Sequence, residues 1–595
     1  MWGWGRLLGR EFSPPLTAAL GLALVLLGGG LLNLAHCARP LALDLLVLGG
    51  LLAAAAGAWR GRVLGFGFGR WPAAVPLLLL GVLLGLRLAP PAAFDVFDDF
   101  EKYFAVPARM LATGTVGGNR LSAIGSETLG GQAFLQGFAL AHLPPAWIGA
   151  VDSSFCLLLC VALAGFAGRP RGWIAAAAAE LAVFALNPQI INISAVYSGA
   201  ALILAAVFLP AERPAGRRTD LLLGLLYAGM IALKTTFAAF VAAHLLAAAA
   251  AVLIRDGAAG RAAKSLAARL GWTVLFLAPW ILVSLPSYLA GLKQTLPLPP
   301  PVNREPLALF STAPELYGAT QLHYTALALA AWLAAGAGLI ALRRHRASAP
   351  PATAEAAAAL LAAGGVYFLL TLVLAPAAFG REGATRYAGP ILIGTVPAAL
   401  RLLLAGGFSL GRGRAWRLAP LAAALAVAAF APSAAARVAQ IIRYGSNLAF
   451  TPSATSAAYR AYNRTVLEGP VRGKLASVQA LVPPGEPFVA WIAAPFWLDF
   501  RRNPVIETNA AGLGARWAWP PAVRYYLWEY RGYAIPYSDR DVAGAGGYGR
   551  LFYGEGAVDR INTVRSLAFA QYLEHRAAQA DILYNDGSLV LFRTR

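Results

Sequence analysis

The sequence predicts a polytopic α-helical membrane protein of about thirteen spanning helices, carrying a small α/β domain outside the membrane at its C-terminal end. Three observations predict it. Hydrophobic residues fill 58% of the 595 positions and charged residues only 13%, roughly half the charged share of a soluble domain. Apolar runs of about 20 residues, the length that crosses a bilayer, recur from residue 17 to residue 432. Beyond that point charge density and turn signals return. The mean hydropathy of +0.61 agrees.

In chain order, spans are expected near 17–35, 41–58, 72–89, 147–167, 172–188, 191–209, 219–234, 236–254, 270–288, 322–342, 355–375, 388–406 and 416–432. Their orientation follows from the basic residues. The loops near 1–16, 59–71, 168–171, 210–218, 255–269, 343–354 and 401–417 hold 21 Lys and Arg, whereas the intervening segments, longer in total, hold eight. The first set is therefore cytoplasmic. The loops 90–146, 289–321 and 376–387 face outward, and an odd number of spans puts the tail outside with them. The net charge of +21 is then explained by topology, and a nucleic-acid partner is not expected. The start, "MWGWGRLLGREFSPP", lacks a small-residue cleavage site after a short apolar core, so no removed signal peptide is expected.

Three organisational units follow: 1–71 as N-terminal helices, 72–432 as the main membrane domain with its large outward loop 90–146, and 433–595 as the outer domain. The last holds 18 Lys and Arg. Its "EPFVAWIAAPFWL" and "SLVLFRT" read as buried strands, and "AAYRAYNRTVLEGPVRGKLASVQALV" as a helical start. The Trp- and Tyr-rich "RWAWPPAVRYYLWEYRGYAIPY" suits core packing, or stacking on a sugar. Cys156 and Cys160 share a helix face, Cys37 lies beside an apolar run, and all three read as small packing residues. His142, His244 and His323 are scattered, so no His-based metal site is expected.

The chemistry concentrates in "FDVFDDFEKYFAVPARMLATG", residues 94–114, at the mouth of an expected span. Asp95, Asp98, Asp99 and Glu101 fall within seven positions. The segment reads as an amphipathic interfacial helix, with Phe100, Tyr103, Phe104 and Met110 apolar and Glu101, Lys102 and Arg109 polar. Pro107 should kink it or end its first part. The glycine-containing stretch after it reads as a shaped loop. The acids could simply mark an outward loop and cap a helix start. Two adjacent carboxylates also suit general-base work on an acceptor hydroxyl, one taking the proton and its neighbour holding a cation or orienting the acceptor.

This pattern resembles the membrane-embedded GT-C glycosyltransferases: an acidic pair opening the first large outward loop, then an aromatic residue, then Met-Leu and Gly. Here the matching residues are Asp98-Asp99, Tyr103, Met110-Leu111 and Gly114. The pair is Asp-Asp where the family pattern has Asp-Glu, and the loop follows the third expected helix instead of the first, so the choice of base between Asp98 and Asp99 stays open. "FGREGATRYAGPIL", 379–392, resembles the Arg-Tyr-x-x-Pro element found late in such enzymes, carried by Arg386, Tyr387 and Pro390. Arg381 and Arg386 would set two guanidinium forks at the outer surface, where they suit phosphate or anchor a helix end. Lys234, in "ALKTTF", is costly between apolar runs unless paired or at an interface.

The resemblance implies a GT-C-like fold and a polyprenyl-phosphate-linked sugar donor. It implies inverting transfer to a lipid, glycan or protein acceptor, with Asp98 or Asp99 as catalytic base. Arg381, Arg386, Tyr387 and Lys234 would hold the donor phosphate. Glu101, Lys102, Tyr103, Arg304 and Glu305 would line the donor and acceptor pocket. A divalent cation is compatible with such an enzyme, and no other cofactor is expected. The high Ala, Gly and Arg content suggests a GC-rich bacterial genome and so a bacterial cytoplasmic membrane. Two rivals share the greasy architecture. A lipid-linked sugar transporter or flippase would place ionisable groups near mid-membrane. A polysaccharide polymerase or ligase would use outward Arg residues without needing the acidic pair. A structural anchor for the tail needs far fewer helices.

Overall fold

The computed structural model describes residues 1–9, 11–59, 94, 96–118, 128–166, 173–186, 194–213, 216–292, 316–344, 351–370, 380–402, 435, 463–507, 523–529, 577–587 and 589–595. The expected spans 72–89 and 416–432 lie outside these residues, as do Arg304 and Glu305. The described part is mostly helical. Seven helical stretches are long and apolar enough to cross a membrane, and Tyr197–Glu212 and Ala388–Leu402 are shorter apolar helices. The chain is a multi-pass membrane protein with a small C-terminal sheet domain.

A short helix α1 (Trp2–Leu8) precedes α2 (Pro14–Leu34) and α3 (Pro40–Trp59). A π-helical segment, Val96–Phe104, runs directly into α4 (Ala105–Thr113), and α5 (Gly131–His142) follows. The next span begins with a 3₁₀ turn and a π-helical turn before α6 (Leu157–Phe166). Then come α7 (Trp173–Ala185), α8 (Tyr197–Glu212), α9 (Arg217–Leu233), α10 (Phe237–Asp256) and α11 (Ala259–Leu292). The membrane part closes with α12 (Leu316–Arg344), α13 (Pro351–Leu369) and α14 (Gly380–Leu402).

Two differences from the sequence reading matter. The stretch 131–142, expected as loop, is helix α5. The Arg-Tyr-x-x-Pro element lies within α14, which starts at Gly380, and not in a loop ahead of it.

Helix α8 is the hub. Every residue from Tyr197 to Leu209 is buried, and the helix packs against α2, α6, α9, α13 and α14. By contrast α3 exposes Leu41, Leu45, Leu48, Leu51 and Leu52, a largely apolar surface suited to lipid, broken by Asp44. Small residues let helices approach. A Cβ on Gly131 would lie 2.8 Å from the Ala232 carbonyl oxygen, so α5 and α9 meet backbone to backbone. Trp280 of α11 donates its indole N–H to Leu26 O of α2 at 2.9 Å.

Helix starts borrow carboxylates from elsewhere in the chain. The first N–H groups of a helix lack intrahelical acceptors and carry the positive dipole end. Asp152 accepts from the N–H groups of Val196, Tyr197 and Ser198 at 3.2, 3.2 and 2.7 Å, where α8 begins. Glu212, at the end of α8, accepts from Ser13 N–H at 2.7 Å and Ser13 Oγ at 2.6 Å, where α2 begins.

The C-terminal domain carries a five-stranded sheet in the order β2-β1-β3-β5-β4. The strands are β1 (Phe488–Trp491), β2 (Val505–Glu507), β3 (Tyr525–Glu529), β4 (Asp581–Asn585) and β5 (Leu589–Arg593). β1 is parallel to β2 and β3, and β5 is antiparallel to β3 and β4. Alternation sends Val489, Trp491, Tyr526, Trp528, Val590 and Phe592 to one face. It sends Phe488, Ala490, Leu527 and Leu591 to the other, under Leu475 and Val478 of α15 (Gly469–Gln479). The expected strands at both ends of this domain are present. The described part of the Trp- and Tyr-rich stretch is β3, whose aromatics pack in the core.

Candidate functional site

The acidic segment is built as a wide helix. In the π-helical stretch successive turns are more than four residues apart, so Asp98 precedes Lys102, and Asp99 precedes Tyr103, by about one turn. The change to α-helix comes at Ala105, and Pro107 is the third residue of α4, where a missing N–H costs little. Gly114 ends α4 in the left-handed conformation, at φ +89°. Its carbonyl accepts from Ala38 N–H at 2.9 Å, which ties the segment to the turn between α2 and α3.

The expected division into wet polar and dry apolar faces does not hold. Asp99, Glu101, Lys102, Tyr103 and Arg109 are all buried, each less than a tenth exposed. The reason is that the segment is covered from two sides. On one side stands α5. Lys102, Tyr103 and Val106 face Thr128, Gln132, Ala133 and Gln136 across a narrow cleft with a cavity volume of about 10 Å³, room for about one water. Lys102 Nζ lies 5.2 Å from the Tyr103 ring centroid, close enough for a cation–π attraction. The lining offers one cation, two amides, a hydroxyl and a phenol.

Against other parts of the segment stands the C-terminal domain. Phe94, Phe100 and Phe104 form one aromatic cluster with Phe496, with the Phe104 and Phe496 ring centroids 4.9 Å apart. Arg109 forms a buried ion pair with Glu507, the last residue of β2, and stacks 5.4 Å from the Phe500 ring centroid. Burial pulls the Arg109 guanidinium below its ordinary range. Phe94 N–H donates to Asn463 Oδ1 at 2.5 Å, and Arg501 Nε–H to Ala112 O at 3.2 Å.

The structure brings four of the expected site residues, Asp99, Glu101, Lys102 and Tyr103, into this one segment. Lys234 comes close by a different route. It ends α9 in extended conformation and is buried. The neighbouring Leu233 carbonyl accepts from Thr128 Oγ1, a lining atom of the cleft, at 2.9 Å. Asp98 lies on the same π-helical backbone. Arg381, Arg386 and Tyr387 lie in the first two turns of α14. Among the described residues no three His, Cys, Asp or Glu side chains converge as a metal would require.

Sequence reasoning missed Gln132 and Gln136. Their spacing of four, on one helix face, is the signal that would have found them, once 131–142 is read as helix. It also missed a second polar cluster, inside the membrane part. Asp220 of α9 accepts from Ser265 Oγ and Arg269 Nε of α11, both at 2.9 Å. Arg269 lies 3.9 Å from Glu355 of α13, and Glu355 lies 3.1 Å from His244 Nε2 of α10. His244 Nδ1 is 3.0 Å from the Tyr227 hydroxyl. The scattered histidines thus have partners: His244 joins this set, and His142 pairs with Asp44 at 2.8 Å.

No protein-family model matches the chain, and no curated protein matches it. Among solved structures the chain is similar to ArnT from Cupriavidus metallidurans bound to undecaprenyl phosphate, with a TM-score of 0.46 and 15% identity, over 88% of this chain and 98% of that one. The apo state of the same protein aligns with the same TM-score and identity, over 87% of this chain and 97% of that one.

Proposed function

We propose that the protein is a membrane glycosyltransferase that moves a sugar from a polyprenyl-phosphate donor to an acceptor at the outer face of the bilayer. The observation that carries this reading is the cleft between the acidic segment and α5. One helical turn from the two aspartates stand a cation and an aromatic ring, Lys102 and Tyr103, facing a wall of amides and a hydroxyl. In this reading Lys102, helped by Lys234, neutralises the lipid phosphate as it leaves, which is where charge stabilisation acts most strongly. Asp98 or Asp99 takes the proton from the acceptor hydroxyl. One base and no covalent sugar intermediate make the transfer inverting. Arg381 and Arg386 are assigned to the same phosphate on the strength of their motif. The setting is a bacterial cytoplasmic membrane, with the sheet domain outside.

The test uses purified wild type with Asp98→Asn, Asp99→Asn and Arg386→Ala variants. Consumption of polyprenyl-phosphate sugars is measured with membrane extract as acceptor source, with and without EDTA, because an acidic pair is also what a divalent cation would take. Turnover by wild type, lost about a thousandfold or more in one Asp variant that stays folded, supports the transferase and names the base. No turnover or binding across a broad donor panel sinks it.

One observation favours a second reading, a lipid-linked sugar transporter. Asp220, Arg269, Glu355 and His244 are ionisable groups buried among membrane helices, and such groups often mark transport routes. Movement of a labelled polyprenyl-phosphate sugar across proteoliposomes, with no sugar transfer, would select it.

A further inference from the structure

The C-terminal domain does not merely hang from the last membrane helix. It grips the acidic segment at four places. The Phe94, Phe100 and Phe104 rings interlock with Phe496, and the Phe94 N–H is held by Asn463. Arg109 and Glu507 pair in a buried setting, 4% and 5% exposed. Arg501 reaches the Ala112 carbonyl near the end of α4. These contacts span the π-helical stretch and α4 from end to end. The Phe100 and Phe104 rings fall on the opposite side from Lys102 and Val106, which face the cleft, whereas Arg109 follows Val106 by about one turn on the same helix face. Burying a charged pair is a poor way to gain stability, because desolvation cancels much of the attraction. A buried pair of fixed geometry is a good way to fix register. Slippage of the segment by one position would separate Arg109 from Glu507 and leave two charges buried alone.

We propose that the C-terminal domain is a clamp that sets the register of the acidic segment against the cleft, with Arg109 and Glu507 as its positioning pair. Neither residue touches substrate; both act through the segment that carries Asp98, Asp99, Lys102 and Tyr103. The proposal rests on reading those four as the reacting site.

The experiment uses the full chain in nanodiscs. Wild type, Glu507→Gln, Arg109→Lys and the exchanged pair Arg109→Glu/Glu507→Arg are compared by two measurements. One is hydrogen exchange of residues 96–113. The other is consumption of polyprenyl-phosphate sugar. Glu507→Gln is expected to speed exchange of 96–113 at least tenfold, with strands β1 and β3 unchanged, and to lower turnover at least tenfold. Arg109→Lys, which keeps the charge, and the exchanged pair should each recover most of both. Should Glu507→Gln prevent folding, Arg501→Ala replaces it, since Arg501 is exposed, and a two- to threefold effect on both measurements is expected. Wild-type exchange and turnover in Glu507→Gln, or faster exchange with full turnover, overturns the clamp. Wild type that turns over no donor, with exchange responding as expected, keeps the gripping contact and sinks the transferase reading instead.

Discussion

Lys102 is the cation in the lining of the cleft, and it is buried against Tyr103. In the proposed function this ammonium faces the lipid phosphate, whose negative charge favours the charged form. Lys102→Gln keeps much of the volume and removes the charge. It should weaken binding of undecaprenyl phosphate about tenfold, or about 1.4 kcal/mol, measured as loss of thermal stabilisation by the lipid. Unchanged stabilisation would take Lys102 out of the phosphate site. Glu529 tests a different residue-scale effect. It ends β3 and accepts Ala493 N–H at 2.7 Å. Burial pushes its carboxyl up to about 7, against the pull of that bond and of Lys474. The folded state therefore binds a proton that the unfolded chain has released. Stability should fall as pH rises from the ordinary carboxyl value towards 7, then level off, by on the order of 2 kcal/mol in all. Hydrogen exchange of β1 and β3 at pH 5 and pH 7.5 measures the difference, and Glu529→Gln should abolish it.

At the scale of elements, the end of α4 depends on one glycine. Gly114 has φ +89°, and a Cβ there would lie 2.0 Å from the His36 carbonyl oxygen. Gly114→Ala must then both adopt a left-handed conformation, at about 1–2 kcal/mol, and push two backbones apart. Gly118 supplies the control, with φ +94° and nothing within 4 Å of the same atom. Thermal unfolding should show Gly118→Ala losing about 1 kcal/mol and Gly114→Ala at least twice that. Equal losses would mean that the contact to the α2–α3 turn gives way easily. The same residue shows what sequence can disclose. Gly114 closes the Met-Leu-x-x-Gly pattern and is where the helix ends, so the helix was legible from its apolar spacing and its cap. The burial of Glu101, Lys102 and Arg109 was not, because the covering comes from residues 463–507, hundreds of positions away. Helix α5 was hidden by the glycines around it, which read as loop, although Gly131 is there to let α5 touch α9. The π-helical form of 96–104 has no signal in residue spacing short enough to read. The C-terminal strands were legible because buried β-branched and aromatic runs between turn signals carry their own pattern. The Arg269 cluster was not, since its members stand singly on four helices.

Over the whole molecule, two polar sites sit at opposite ends of the same helices. Asp220 lies in the first turn of α9, and Leu233 and Lys234 lie at its other end, beside the cleft. Thirteen residues of helix separate them, about 20 Å. The set around Asp220 has two carboxylates, Asp220 and Glu355, and Arg269 lies against both. Arg269→Met leaves Asp220 and Glu355 buried without their partner, a loss of about 3–5 kcal/mol. Arg269→Met/Asp220→Asn should recover a large part of it, because the second change removes one of the stranded charges. Thermal unfolding in nanodiscs reads both. Donor turnover then decides what the set is for. A double variant that folds and turns over donor like wild type makes this set a structural tie among α9, α10, α11 and α13. A double variant that folds and binds lipid at the cleft, yet no longer carries labelled lipid across the bilayer, makes this set part of a transport route. The transferase reading requires the first outcome, since its chemistry lies wholly at the cleft end of α9.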